Sequence, residues 1–396
     1  MKRMRVGLVG TGFAGSFHLE CLRRVYGVDV AIAGVTSRRA ENRDTFGRAH
    51  GLPVYESIAA MLPHVDVLDI CSPPYAHEEG ILEAAAAGKG VICEKPLTGF
   101  FGPGGDSPDY HGDSDCKIAM LEAVLATLRK LSVAVRNGGA FFGYAENFVY
   151  TPGIQKEREI VEKTGAQILR MTGEESHNGS ASPVYGIWQK AGGGSLIGKG
   201  CHPLGGMLYL KRIEGLARDG KPIRPKSVCS RTHQITRLGN YRDTGLIRTD
   251  YRDVEDYGFM HVTFDDGTVA DVLTSELALG GIYDYVEVFA NNHRTRCHIS
   301  PAGLMDVYNP RGPQFADVYL MEKISTQEGW VPAAPDETFT IGYQAELQDF
   351  MLAAADGRQP QSGLGLALDT TAAIYAAYAS DAGRGLEVDI PLDWEA

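Results

Sequence analysis

The sequence predicts an α/β protein that opens with a parallel sheet covered on both faces and continues into a second domain. Three observations carry this. Apolar strands alternate with helical stretches over the first 95 residues, a glycine-rich turn joins the first strand to the first helix, and 396 residues exceed what one ordinary core organises. Residues 5–9 form a short apolar strand, followed by Gly10-Thr11-Gly12-Phe13-Ala14-Gly15 and a helix over 16–25. Residues 28–35 read as the next strand, 39–50 as a helix, 54–55 as a brief extended piece and 58–62 as a short helix. A third strand at 65–71 ends in Ser72-Pro73-Pro74, and a helix over 77–87 leads to a fourth strand at 90–93. These strands lack strict apolar–polar alternation, which implies helical crossovers on both faces. Downstream, 138–144 and 167–172 read as strands with a helix over 155–163 between them. Strands 261–264 and 268–273 flank an Asp265-Asp266-Gly267 turn, and 285–290 and 295–299 make another pair.

Composition excludes several classes. Lys plus Arg number 38 against 50 Asp plus Glu, a net charge of −12, which argues against a nucleic-acid partner, since phosphate contacts need clustered cations. No apolar run approaches the ~20 residues that span a bilayer. The basic start Met1-Lys2-Arg3-Met4-Arg5 meets glycines too soon for a secretory leader. Seven scattered cysteines, never in C-x-x-C spacing, read as reduced thiols of a cytoplasmic protein, and no metal site is expected.

The glycine turn has the context that gives G-x-G-x-x-G meaning, a strand before and a helix after. Gly10 permits the tight turn, Gly12 lets backbone approach a pyrophosphate, and Gly15 lets helix pack on strand. Thr11, Phe13 and Ala14 complete that cofactor-binding loop. After the second strand, where an acid would hold an NAD ribose, stands Gly34-Val35-Thr36-Ser37-Arg38-Arg39. Ser37 and Arg38 suit a 2′-phosphate, which tilts the expectation from NAD toward NADP, with Arg38 stacked on adenine as the alternative.

Three motifs then coincide: the glycine turn, Glu94-Lys95-Pro96-Leu97, and Gly192-Gly193-Gly194-Ser195-Leu196-Ile197-Gly198-Lys199-Gly200-Cys201-His202-Pro203. Together the chain resembles the glucose–fructose oxidoreductase, inositol dehydrogenase and rhizopine-catabolism (Gfo/Idh/MocA) family over nearly its whole length. That resemblance implies an N-terminal Rossmann domain, here 1–148, and an α+β C-terminal domain, 149–396, built on a large, mostly antiparallel open sheet. It also implies homo-oligomers formed through that sheet. Ser72, Pro73, His77, Glu94 and Lys95 are expected to border the cofactor beside the glycine turn.

Lys95, at the carboxyl end of a parallel strand, is placed to hydrogen-bond the reacting oxygen or to take part in proton transfer. His202 is the first candidate for general base. The family often carries an Asp four residues before this histidine; here Gly198 stands there, followed by Lys199, so either another group (Lys199, Glu174 or Glu175 nearby) takes over the orientation of His202 or the chemistry differs from simple dehydrogenation. Lys199 and His202, three apart, would share a helical face. Asn147, Tyr150, His177, Trp188 and Tyr185 are weaker candidates for a polyol pocket, and residues 98–117 read as an irregular insertion at the cleft mouth, a lid or an oligomer contact.

The function expected is an NAD(P)-dependent oxidoreductase acting on a hydroxyl of a sugar, glycoside or cyclitol. The rival is a glycosidase that keeps its NAD and works by transient ring oxidation, elimination, water addition and re-reduction. An anionic, for example sulfonated, sugar would suit Lys199 and His177 with Arg136 or Arg170. A non-catalytic cofactor-binding sensor is the third reading.

Overall fold

Short apolar runs in the N-terminal third can be buried only where helices cover both faces of their sheet. The computed structural model, which describes every residue except 104–106, 108, 325 and 395–396, shows this arrangement. Its first layer contains β1 (Arg3–Val9), α1 (Phe13–Arg23), β2 (Asp29–Thr36), α2 (Ala40–His50), α3 (Ile58–Met61), β3 (Val67–Ile70), α4 (His77–Ala86), β4 (Gly90–Glu94), α5 (Lys117–Gly138) and β5 (Phe142–Ala145). The five strands are parallel in the order β2-β1-β3-β4-β5, with Val6, Leu8, Leu68, Ile70 and Ile92 fully buried. This is a Rossmann domain, and its ligand edge lies beyond the carboxyl ends of the strands.

Two differences from the sequence reading stand here. Gly138 ends α5 rather than starting a strand, and β5 begins only at Phe142. The 22-residue α5 escaped notice although Met120, Leu121, Val124, Leu125, Leu128, Leu131 and Val135 recur at helical spacing and are all buried.

The second layer follows: α6 (Pro152–Thr164), β6 (Ile168–Ser176), α7 (Trp188–Ala191), α8 (Ser195–Gly198), α9 (Cys201–Asp219), β7 (Pro225–His233), β8 (Tyr257–Phe264), β9 (Val269–Ser275), β10 (Tyr283–Ala290) and β11 (Arg294–His298). Then come β12 (Asp306–Asn309), β13 (Gly329–Pro332), α10 (Glu337–Thr340), α11 (Tyr343–Asp356), α12 (Leu364–Ala382) and β14 (Val388–Asp389). Seven strands make one open sheet, β11-β10-β6-β9-β8-β7-β14, antiparallel except for β6 beside β9. Strand β8 alternates buried and half-buried residues, as a sheet with one packed face must. That inner face meets α9: a Cβ at Gly173 would lie 2.5 Å from Met207 and 3.1 Å from Pro203.

The chain returns to the first sheet at its end. Ser362 bonds Tyr144 twice (Tyr144 N–H to Ser362 O, 3.0 Å; Ser362 Oγ–H to Tyr144 O, 2.6 Å), and Phe350 of α11 packs on Phe141. Residues 343–382 therefore belong spatially to both layers, which a single cut at residue 148 does not express.

Candidate active site

The site forms where the carboxyl edge of the parallel sheet meets the inner face of the open sheet. On the first side, the glycine turn is built for close approach. Gly10 has φ +117°, and a Cβ there would lie 2.5 Å from the Cys71 carbonyl oxygen; at Gly15 it would lie 2.6 Å from that of Gly10. At Gly12 a Cβ would meet nothing within 4 Å, so that turn faces open space, and Gly12 caps α1 without a side-chain acceptor. Ser72 Oγ, buried nearby at the end of β3, has no hydrogen-bond partner among the described residues. An open glycine turn at a helix N-terminus, with the unpartnered Ser72 hydroxyl nearby, fits a dinucleotide's phosphates. Arg38 is exposed just beyond β2.

Under this turn lies a buried ionic triad that the sequence reading missed. His18 of α1 places Nδ1 3.0 and 3.1 Å from the two oxygens of Asp69 and Nε2 3.1 Å from Glu94 Oε1. Burial opposes the imidazolium, but Asp69 and Cys71 together hold its pKa well above the ordinary value. Glu94 is lowered, the His18 hydrogen bond and charge outweighing burial, and its other oxygen accepts the Lys95 amide at 3.0 Å. Glu94 thus holds the Lys95 backbone amide as well as the His18 imidazole. His77 is likewise internal: fully buried, its nitrogens lie 2.9 Å from Pro96 O and 2.7 Å from Ser72 O, tying the β3 and β4 loops together.

Lys95 extends across the cleft to donate to the Gly198 carbonyl at 3.1 Å, its ammonium 5.9 Å from the Tyr185 ring. Burial works against its charge, yet Tyr185, Cys201, Glu175 and Glu94 raise its pKa, so it remains a cation. Lys199 and His202 do not share a helical face. Lys199 caps α8 with φ −120°, and His202 sits in the first turn of α9. Lys199, 2 % exposed, ion-pairs with Glu276 and donates to Ser180 Oγ at 3.3 Å. His202 Nδ1 lies 2.7 Å from Glu146 Oε1, its ring stacked on Phe148, while Nε2 lies 3.8 Å from Glu175 Oε2.

The group that orients His202 is thus Glu146, one residue past β5. Neither Lys199 nor Glu174 does so; Glu174 points to the opposite sheet face and accepts from Ser176 Oγ at 2.7 Å. Burial, together with Lys95, lowers the His202 pKa to about 4, and burial raises Glu146 well above a normal carboxyl.

His177 sits beside Lys199 and Glu276, its Nδ1 accepting the Gly179 amide at 3.1 Å and lying 4.0 Å from Glu276. Burial, then Lys199 and Lys323, keep it neutral. A cavity of about 460 Å³ opens beyond, lined by Ser180, Arg248, Asp250 and Lys323 among others.

Three pocket candidates are instead structural. Trp188 is buried, its ring tilted against Tyr378 with centroids 4.9 Å apart, and Nε1 donates to Phe100 O at 3.1 Å. The described part of the 98–117 insertion covers it: Gly112 packs so closely that a Cβ would overlap the indole, and Lys117 lies 4.6 Å above the ring. The centre of that insertion, 104–106 and 108, lies outside the described residues. Tyr150 is buried and donates to Asp349 at 2.8 Å, and Asn147 donates to Ile341 O at 2.7 Å. An anionic subsite also loses two of its cations. Arg170 lies on the outer sheet face over Phe289, and Arg136 ends α5 at the edge of the Rossmann sheet away from the site. Two buried groups bring donors within 4.8 Å of one another, His18 with Asp69 and Cys71, and Glu146 with Cys201 and His202. In each, the histidine is hydrogen-bonded to a carboxylate.

A Rossmann domain facing an open sheet, with a lysine and a carboxylate-held histidine between them, defines a class of dinucleotide-binding protein. Residues 4–100 match the family described as "Oxidoreductase family, NAD-binding Rossmann fold" (GFO_IDH_MocA). Over 95 residues it is 35% identical to an inositol 2-dehydrogenase of Cereibacter sphaeroides, a match spanning 24% of this chain and only 28% of that relative. A levoglucosan dehydrogenase of Pseudarthrobacter phenanthrenivorans is 25% identical over 90% of both chains. Two solved structures share the fold: GenD2 from gentamicin A biosynthesis in complex with NAD, and a Lactobacillus casei scyllo-inositol dehydrogenase with bound NAD(H) and scyllo-inositol. GenD2 has a TM-score of 0.78 at 21% identity, covering 99% of this chain and 97% of its own. The dehydrogenase has 0.71 at 17%, covering 98% and 99%. No helix among the described residues is long and apolar enough to cross a membrane.

Proposed function

We propose that this protein is an NAD(P)-dependent oxidoreductase acting on a secondary hydroxyl of a sugar or cyclitol. The observation that carries the reading is the neutral, Glu146-held His202 beside the Lys95 ammonium at the carboxyl edge of the Rossmann sheet. Gly10–Gly15, Ser37, Arg38, Ser72, Pro73 and Lys95 would hold the dinucleotide, which when bound supplies the hydride acceptor or donor. His202 Nε2 takes the hydroxyl proton. Nδ1–H donates to Glu146 Oε1, which fixes the tautomer that leaves Nε2 free to accept; as Nε2 gains the proton, the Nδ1 proton can pass to Glu146, whose proton affinity burial raises, so no net charge builds on the buried ring. Lys95 donates to the oxygen and stabilises its developing negative charge. The cavity beyond Lys199 leaves room for the rest of a glycoside.

The test is purified protein with NAD⁺ or NADP⁺ and a panel of sugars, cyclitols and aryl glycosides, following nicotinamide absorbance and free aglycone together. Net cofactor reduction without aglycone release is expected. Aglycone release without net reduction would assign the redox-neutral glycosidase reaction instead.

A further inference from the structure

The substrate side of the site holds more carboxylate than the mechanism uses. Glu175 of β6 and Asp284 of β10 are registered directly opposite each other, on the inner face, which places their Cβ atoms roughly 5 Å apart. Both are more than nine-tenths buried. Glu175 Oε2 and Asp284 Oδ1 have no hydrogen-bond partner among the described residues. The nearby cations are engaged elsewhere: Lys199 pairs with Glu276, and Lys95 donates to Gly198. Glu175 lies 3.8 Å from the reactive nitrogen of His202, so a carbinol held there puts its neighbouring substituents against this pair.

We infer that the substrate carries an ammonium group next to or one carbon beyond the reacting hydroxyl, held between Glu175 and Asp284. This rests on the oxidoreductase reading above. Two close buried carboxylates repel each other, and leaving their oxygens unpaired is costly. A neutral hydroxyl offers one donor and no charge, whereas an ammonium offers three donors and cancels one of the two charges. Both carboxyls respond as an unfilled pair should. Burial raises each; His202, Lys95 and Lys199 oppose the rise at Glu175 and Glu146 adds to it, while Glu175, Glu322 and Glu174 add to the rise at Asp284 and Lys199 opposes it. His177, with Glu276 and Lys323 near it, completes the titratable surroundings and is held neutral. A divalent ion fits less well, because the donor atoms that converge near His202 are those of Glu146 and Cys201, not of Glu175 and Asp284.

The test is calorimetric binding to the NAD⁺-loaded protein at pH 7.5, with glucosamine and 3-amino-3-deoxyglucose, their N-acetyl derivatives, and glucose. At least one free amine should bind about tenfold or more tighter than both its N-acetyl form and glucose. Glu175→Gln and Asp284→Asn, both isosteric, should each reduce that preference severalfold. Equal affinities, no binding by either amine, a preference that survives both substitutions, or tightening by Mg²⁺ alone would each overturn the inference. The two readings fail separately: cofactor reduction by neutral sugars without amine preference sinks only this one, and no reduction with any probe sinks the oxidoreductase.

Discussion

Two buried polar regions face each other across the cleft and are built on opposite principles. Beneath the dinucleotide turn, His18 satisfies Asp69 and Glu94 at once, and a cation sits between two anions with no ligand needed. Where the two sheets meet, Glu146 just past β5 and Glu175 and Asp284 of the open sheet each keep a buried oxygen without a partner among the described residues. The first region is finished in the free protein and fixes geometry. The second is unfinished, and its missing donors must arrive with what binds there. A protein retains such costly groups where function requires them.

The largest effect expected from breaking this contrast is at His202. His202→Asn keeps the shape and one hydrogen bond to Glu146 but removes the basic nitrogen, so kcat should fall about 10²–10⁴-fold with cofactor affinity little changed. Steady-state kinetics beside NAD⁺ titration would check this, and a kcat within threefold of the parent would remove His202 from the chemistry.

The triad should respond through stability instead. His18→Asn leaves Asp69 and Glu94 buried without their cation, a loss of about 3–5 kcal/mol by the usual cost of orphaned buried charge. Asp284→Asn should do the reverse and change stability by no more than about 1 kcal/mol, in the stabilising direction. The sign follows from linkage: the folded-state pKa of Asp284 is raised, so its carboxyl favours folding below the unfolded pKa and costs stability as pH rises through the folded value. The stabilisation by Asp284→Asn should accordingly appear at neutral pH and vanish near pH 3. Denaturant unfolding of both variants at the two pH values separates a finished charge network from an unfinished one.

Glu146→Gln probes the link between the regions. It retains an acceptor for His202 Nδ1 but cannot take the proton, so kcat should drop about 10–100-fold, in the range of losing an orienting partner. The acid limb of kcat/KM should also move to lower pH, because His202 would then titrate alone, without the carboxyl whose proton affinity exceeds its own. An unchanged limb with lowered kcat would reduce Glu146 to a steric support.

These residues also mark how far the sequence could be read. Gly10, Lys95 and His202 were legible because each lies in a contiguous motif with a local mechanism. Glu146 was not, since its role depends on β5 delivering it to α9, although an acid one residue past an apolar parallel strand is a signal of the ligand edge. Glu174-Glu175 held a second signal. Two consecutive acids at the end of a strand cannot both face solvent, and the register with Asp284 decides which one turns inward. Trp188 and Tyr150 misled because aromatic residues fill cores as readily as pockets, and their partners Asp253 and Asp349 lie 65 and 199 residues away. His18 looked like any helix residue, its two acids being 51 and 76 residues distant.

The smallest expected effect concerns the far end of the dinucleotide, where neither buried region acts. Arg38 is exposed beyond β2, and no acid stands at that strand end to hold a ribose hydroxyl. If Arg38 and Ser37 grip a 2′-phosphate, Arg38→Ala should raise KM for NADP⁺ about fivefold to tenfold, the worth of one exposed charge-assisted contact, and leave KM for NAD⁺ within twofold. If Arg38 stacks on adenine, both KM values should rise together, because adenine is common to the two cofactors. Either pattern leaves kcat alone, since the hydroxyl chemistry we propose at Lys95 and His202 lies at the other end of the cofactor cleft. A kcat change in Arg38→Ala would mean that the two ends of the cleft are coupled, contrary to the fixed geometry the His18 triad is argued to impose.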